Sequence, residues 1–254
     1  GTFEGAVTNN GAVIESGTFT GTVINKKALG QDGNTLEGND KKPALGLISG
    51  GTFEGPVTND PGCTISGGTF NDTVTSEGYI ENGTYNGDVT NNQSGGITGG
   101  IFNNGVVTNH EYIADGTYKC KVTNNGQING GTFSGAITGT GTIATNAVKL
   151  SVSFDPNGGS GSMDPVTVDY GATYLFPENG FTAPEGKRFA HWAIDSLDGD
   201  TTAVPGGGLT ILRGTTAYAV WEDIPASTGG GGGGGRTSYS VSTGKTGNGT
   251  LSLS

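Results

Sequence analysis

What the chain has little of narrows its chemistry first. It has two cysteines, Cys63 and Cys120, and two histidines, His110 and His191, spread over 254 residues. They give no metal-ligand spacing, no disulfide framework and no triad, because the two histidines fall in segments of different character. Arginine is missing from the first 148 residues; the three present are Arg188, Arg213 and Arg236. With a formal net charge of −11 and no Lys/Arg-rich run, nucleic acid and anionic lipid surfaces are poor partners. Apolar residues make up only 31%, too few for a two-layer core along the whole length. No run approaches the ~18 consecutive apolar residues of a membrane span, so no transmembrane segment is expected. No Met start or signal peptide is visible. The chain begins inside a repeat at Gly1-Thr2-Phe3 and stops inside a strand-like run ending at Ser254, so a fragment of a longer protein is expected.

What is abundant is glycine, 51 of 254 residues against a usual ~7%, which points to a fold that turns often. The glycines belong to a repeat that reads roughly I-x-G-G-T-F-x-G-x-V-T-N-x-G. Its aromatic position recurs at Phe3, Phe19, Phe53, Phe70, Tyr85, Phe102, Tyr118 and Phe133, at gaps of 16, 34, 17, 15, 17, 16 and 15. The gap of 34 is twice 17, and Leu36 of Thr35-Leu36-Glu37-Gly38 matches the aromatic slot at its midpoint. The count is therefore nine coils, the third degenerate. Four residues after each aromatic stands Val7, Val23, Val57, Val74, Val89, Val106, Val122 or Ile137. A further apolar column runs through Ile14, Ile48, Ile65, Ile80, Ile97, Ile113, Ile128 and Ile143. The apolar positions alternate with polar ones, which is strand periodicity, and N-x-G steps such as Asn124-Asn125-Gly126 are turn chemistry. Gly, Thr, Asn and Val dominate, so helix is excluded on propensity. One coil cannot bury its own Phe, Val and Ile; stacked coils can. The fold class expected for residues 1–148 is thus all-β, a parallel β-helix or β-solenoid with a thin core renewed at every turn. The Asn rank at Asn9, Asn25, Asn59, Asn91, Asn109 and Asn124 is expected to form a ladder of side-chain hydrogen bonds at the turns.

Residues Lys26 to Ser49 depart from the pattern and read as a solvated excursion from the third coil. A calcium loop is excluded there, because Leu36 occupies a required oxygen-ligand position and Pro43 the twelfth. Cys63 and Cys120 lie four coils, roughly 19 Å, apart, beyond the ~7 Å reach of a disulfide. Two free thiols are expected. An uncapped first coil leaves strand edges open, so end-to-end self-association or fraying is expected at Gly1–Asn9.

The pattern changes at Val148-Lys149. Leu150, Val152 and Phe154 alternate and lead into Asp155-Pro156-Asn157-Gly158-Gly159. Val166 to Gly171, Ala183 to Trp192 and Thr216 to Glu222 follow. The F-D-x-N-G-G, V-x-Y-G, A-P-E-G-K-x-F-x-x-W and A-V-W-E segments together resemble the Listeria–Bacteroides repeat, the internalin-type B repeat, across about 149–222. His191 departs from it, standing where that family usually has Gly. The resemblance implies a β-grasp-like module (149–223) on a secreted or cell wall-associated, Gram-positive type of surface protein, usually without catalysis. The residues alone read as short strands around Phe154, Phe176, Phe189, Trp192, Tyr218 and Trp221. Residues 224–238, with Gly229 to Gly235, read as a flexible Gly-rich linker. Residues 239–254 resemble the truncated start of a further repeat module.

No constellation carries chemistry. Catalysis on a solenoid needs carboxylates in one column of adjacent coils, and the best pair on offer is Glu37 with Glu54. Neither has an Arg nearby, and a solvated face is the better reading. A Thr ladder through Thr2, Thr18, Thr35, Thr52, Thr69, Thr84, Thr117 and Thr132 lacks the second parallel rank that ice binding needs. Thr there follows from β-propensity. No catalytic, cofactor or metal site is assigned, and no cofactor is expected. The chain is expected to be a non-catalytic adhesin or stalk that presents an extended solenoid to glycan, mucin, or a host or cell-wall protein. The alternatives are an accessory region of a polysaccharide-active, pectate-lyase-like enzyme with its catalysis elsewhere, and a pure structural spacer.

Overall fold

The Thr-Phe and Thr-Tyr pairs of successive repeats hydrogen-bond to one another in parallel, so that like lies over like. In this computed structural model, which describes residues 1–28, 44–145 and 147–225, every strand of the repeat region is short and the described residues contain no helix. Three sheets run along the solenoid. The aromatic sheet stacks Thr2–Phe3, Thr18–Phe19, Thr52–Phe53 and their successors up to Gly131–Phe133. A valine sheet of eight strands runs from Val7–Asn10 to Ile137–Thr138, and an isoleucine sheet of eight from Val13–Ile14 to Thr142–Ile143. The fold class read from the repeat is the one observed: an all-β parallel solenoid.

The described residues form eight coils, one fewer than the spacing suggests. Phe19 pairs with Phe53 in register and stacks on it at 4.9 Å, so no rung stands between them. Val23 likewise pairs with Val57, and Val13 with Leu47. The departure from the pattern is thus one insertion in the second coil, between the strands Val23–Lys26 and Leu47–Ile48. Residues 29–43, where the degenerate coil and the excluded calcium loop were read, lie outside the described residues, as do the tail residues 226–254.

Eight rings form one continuous stack from Phe3 to Phe133, with centroids 4.5 to 4.9 Å apart and planes within 10° of parallel. The strand spacing of ~4.8 Å dictates that separation, which is also an ordinary stacking distance for offset rings. Every ring beyond the first is buried, whereas Phe3, at the end of the stack, is 46% exposed. Glycine at the corner before each Thr-Phe pair follows from geometry. Gly68 holds φ +111°, closed to L side chains, and the edges of Phe53 and Phe70 lie 3.2 and 3.3 Å from where its Cβ would stand.

The valine column corrects the sequence at one place. Val107, not Val106, pairs with Val89 and is buried; Val106 lies one step outside, opposite Lys121. An extra residue at the corner Asn103–Gly105 causes the slip, with Gly105 at φ +74° and the Asp88 carboxylate accepting the Val106 N–H at 2.8 Å.

The Asn rank does form a ladder, and it points inward. Asn9 donates to Asn25 at 2.7 Å, Asn25 to Asn59 at 2.7 Å, Asn91 to Asn109 at 2.7 Å and Asn109 to Asn124 at 2.8 Å. All six side chains are buried, and each also donates to carbonyls of the neighbouring corner, for example Asn109 to Gln127 O at 3.2 Å. These amides satisfy main-chain groups that a wholly apolar corner would leave unpaired. Ser76 breaks the ladder. Its hydroxyl accepts from Asn59 and donates to Gly78 O, which leaves the buried Asn91 Oδ1 without a partner. Two residues separate Ser76 from the next strand at Tyr79, as two separate Asn109 from Tyr112. A longer amide side chain in place of Ser76 would therefore have room to bridge. Ser76→Asn is expected to raise the unfolding free energy by about 1 kcal/mol, checked by urea denaturation.

The second module continues the aromatic sheet. Val148–Asp155 pairs in parallel with Gly131–Phe133, setting Leu150 on Phe133 as the next member of the stack. Farther along, the same strand pairs in parallel with Thr215–Asp223, and its other edge takes Val166–Asp169 antiparallel. Thr215–Asp223 then pairs antiparallel with Lys187–Ile194, with a bulge between Phe189 and His191. Trp192 fills the core of this module against Phe154, Phe181 and Phe189, its indole N–H donating to Pro177 O. Residues 1–223 form one compact unit. Ser134 O lies 2.0 Å from where a Cβ on Gly214 would stand. Gly214→Val is therefore expected to destabilise the junction by roughly 1–3 kcal/mol, read as a lower thermal midpoint with the solenoid sequence untouched.

Candidate functional site

Three aspartates of the solenoid are committed to corners. Asp72 accepts from the Thr73 N–H, Asp88 from Val106 and Asp115 from Gly116. The column after the aromatics carries no carboxylate pair. Glu54 belongs to the rung directly above Thr20 and accepts from Asn71 at 2.9 Å, and the ladder continues through Asn86 to Asn103. Thr20 thus takes the place expected of Glu37 next to Glu54, which corrects that pairing; Glu37 itself lies outside the described residues. Among the described residues no three His, Cys, Asp or Glu side chains converge to hold a metal ion.

Both cysteines are buried and unpaired. Cys63 precedes the isoleucine-sheet strand Thr64–Ile65, whereas Cys120 lies just after Tyr118 of the aromatic sheet. They lie on different corners, four coils apart by the ring stack. Burial pushes both thiols up from their ordinary value, more than nearby backbone hydrogen bonds lower them. Native protein is therefore expected to resist a thiol-specific reagent at neutral pH and to react at both positions once unfolded, as read by mass.

Two of the three outer faces are uniform. The outward column of the valine sheet is Thr8, Ile24, Thr58, Thr75, Thr90, Thr108, Thr123 and Thr138, a second threonine rank that the repeat reading missed. The outward column of the aromatic sheet is threonine broken by Ile101. The isoleucine sheet differs: its outward column runs Val13, Leu47, Thr64, Tyr79, Gly96, Tyr112, Gln127 and Thr142. Tyr79 is 40% exposed, and Tyr112 is half-buried. Gly96 sits between them in register, and its Cβ would meet Cζ of Tyr112 at 2.2 Å. The phenol end of Tyr112 therefore lies over the bare backbone of Gly96. Burial pushes the Tyr112 phenol up from its ordinary value, and the neighbouring Tyr79 and Glu111 add to that.

The corner leading into this face is uneven, and the reason is loop length. In the fifth coil four residues, Asn92 to Gly95, separate Asn91 from the next strand, and Ser94 adopts a left-handed φ of +76° to make the turn. In the fourth, sixth and seventh coils only two residues do so. The long corner lines one of two depressions that meet at His110. One, of about 360 Å³, is lined by Glu77, Asn92, Gln93 and His110. The other, of about 410 Å³, is lined by His110, Glu111, Tyr112, Gly126, Gln127 and Asn129. His110, read from the sequence as a turn residue, is exposed at that corner and shared by both. His191 lies in the second module at the strand bulge, so the two histidines are not brought together.

No protein-family model, curated protein or solved structure matches the chain. The corner groove and the tyrosine-bearing face beside it are thus read from their own chemistry. Amide and carboxylate side chains surround a partly exposed aromatic, with no Lys or Arg among the lining residues. Such a set binds by hydrogen bonding and stacking; it has no nucleophile held by a base.

Proposed function

We propose that the chain is a non-catalytic, secreted or cell wall-associated adhesin or stalk that binds a glycan or protein ligand along its solenoid. The observation that carries this reading is the contrast between faces. Polar columns repeat with little variation on two sheets, while the third bears an exposed Tyr79 and a half-buried Tyr112 beside depressions that span four coils. Extended repeats suit extended ligands, because each coil adds one set of contacts. The resemblance of residues 149–222 to a surface-protein repeat supports a place at the cell surface.

The test is a glycan, mucin and matrix-protein array probed with the whole chain, scoring retention and product release together. Dividing the chain at residue 148 would strip the aromatic sheet of its last strand partner, so the intact chain is the right probe. Retention without product release is the expected result. Product release would favour the enzyme reading. No retention on any surface would sink the binding reading and leave a spacer.

A further inference from the structure

We infer that the outer face of the isoleucine sheet holds a stacking subsite for an uncharged hexose polymer, with Tyr112 as its platform and Tyr79 as a second contact. The inference deepens the binding reading above and rests on it.

Three observations point the same way. The first is Gly96. Its backbone is not in the left-handed region, so conformation does not require glycine there; the close approach of Tyr112 does. Any side chain at 96 would lift the ring, because a Cβ would stand 2.2 to 2.5 Å from Cζ, Cε1 and Oη. With one face over Gly96, the ring remains partly exposed, an aromatic surface beside polar groove residues. The second is spacing. Tyr79 lies two rungs from Tyr112, roughly 10 Å along the rod, so the two rings address different residues of one extended chain rather than a single small molecule.

The third is charge. Tyr112 opens into the groove beside Glu111, Gln127 and Asn129, and the adjoining depression adds Glu77. Carboxylates and amides accept and donate to hydroxyl groups, and a pyranose presents hydroxyls around an apolar C–H face that stacks on an aromatic ring. The two carboxylates would repel a uronate or a sialylated chain, and no Lys or Arg lines the groove to offset them. The ligand class is therefore a neutral polysaccharide.

The experiment is affinity electrophoresis of the full chain in gels containing a soluble neutral β-glucan, a neutral galactomannan or polygalacturonate. The expected result is retardation by a neutral polymer and none by polygalacturonate. Tyr112→Ala should weaken the retardation about tenfold or more, while Tyr112→Phe, which keeps the ring, stays within about threefold of wild type. Gly96→Ala should weaken it as well by displacing the ring. Circular dichroism melts of each variant separate loss of the ring from loss of the fold, and the Phe variant reads the subsite even where Ala unfolds. Equal retardation of wild type and a folded Tyr112→Ala, or preference for polygalacturonate, would overturn the proposal. Binding of the chain to a protein or mucin surface, undiminished by Tyr112→Ala, would overturn the subsite and leave the adhesin reading standing. Absence of binding to every surface would overturn both.

Discussion

Phe102→Ala is expected to cost about 3–5 kcal/mol of unfolding free energy, the largest effect of any single side-chain truncation in the solenoid. Phe102 is fully buried and lies between Tyr85 at 4.7 Å and Tyr118 at 4.6 Å. Its removal deletes two stacking contacts as well as the buried area. The cavity cannot collapse, because the strand spacing above and below is fixed by backbone hydrogen bonds such as Asn103 N–H to Tyr85 O and Lys119 N–H to Phe102 O. Phe3→Ala is the control. Phe3 is 46% exposed and has one ring neighbour, so the same truncation should cost about 1 kcal/mol or less. Urea denaturation followed by far-ultraviolet circular dichroism measures both. A solenoid couples each coil only to its neighbours, so the Phe102 variant should also lose hydrogen-exchange protection first at residues 84–85 and 117–118. Equal costs at the two positions would mean that the ring stack is not the axis of the core.

The inward columns were legible because each must satisfy two rules at once. A side chain must face inward by the period of two, and it must lie over its counterpart one coil away. Ile65, Ile80, Ile97, Ile113 and Ile128 meet both without exception, as do the aromatics. The number of coils was not legible. A gap of 34 equals two repeats, and Leu36 is an acceptable occupant of an aromatic slot by type. Only the direct pairing of Thr18 with Thr52 decides against it. Val106 misled for a related reason: a one-residue excess at a corner moves the register of the following strand, and two consecutive valines hide the slip. The Asn rank was legible as a ladder but not as buried, since N-x-G is the signature of an exposed turn and says nothing of which way the amide faces.

The candidate site was the least legible part. Tyr79 and Tyr112 occupy an outward column whose members follow no common type, so no periodic signal marks them. Their neighbourhood becomes visible only when the isoleucine strands are set in register and Gly96 falls between them. One of the two depressions beside them is lined by Asn92 and Gln93 of a corner two residues longer than its neighbours, which in the sequence is merely irregular spacing. Function on a repeat scaffold sits where the repeat is broken: uniform columns meet the demands of stacking, and departures from them are free to meet other demands.

Above about pH 10 the solenoid is expected to lose stability steeply, through two of its own core rings. Tyr85 and Tyr118 sit in the aromatic stack in place of Phe, and each hydroxyl donates to the carbonyl three residues back, Asn82 O and Asp115 O, at 3.0 Å. Burial pushes both phenols well above their ordinary value. A folded-state value raised above the unfolded one means that the folded chain holds its protons longer. The associated stability is fully present below the unfolded value and is lost as pH rises from there toward the folded one. Each phenol then withdraws about 1.4 kcal/mol per pH unit, so the pair removes roughly 3 kcal/mol by about pH 11. Unfolding midpoints in urea across this range should fall accordingly, and tyrosinate absorbance should rise together with the loss of circular dichroism rather than ahead of it. In the double variant Tyr85→Phe, Tyr118→Phe the stack remains apolar and the slope should flatten. The slope that remains belongs to Cys63, Cys120, Tyr112 and Tyr174, which burial also raises. An unchanged slope in the double variant would place the alkaline transition outside the ring stack.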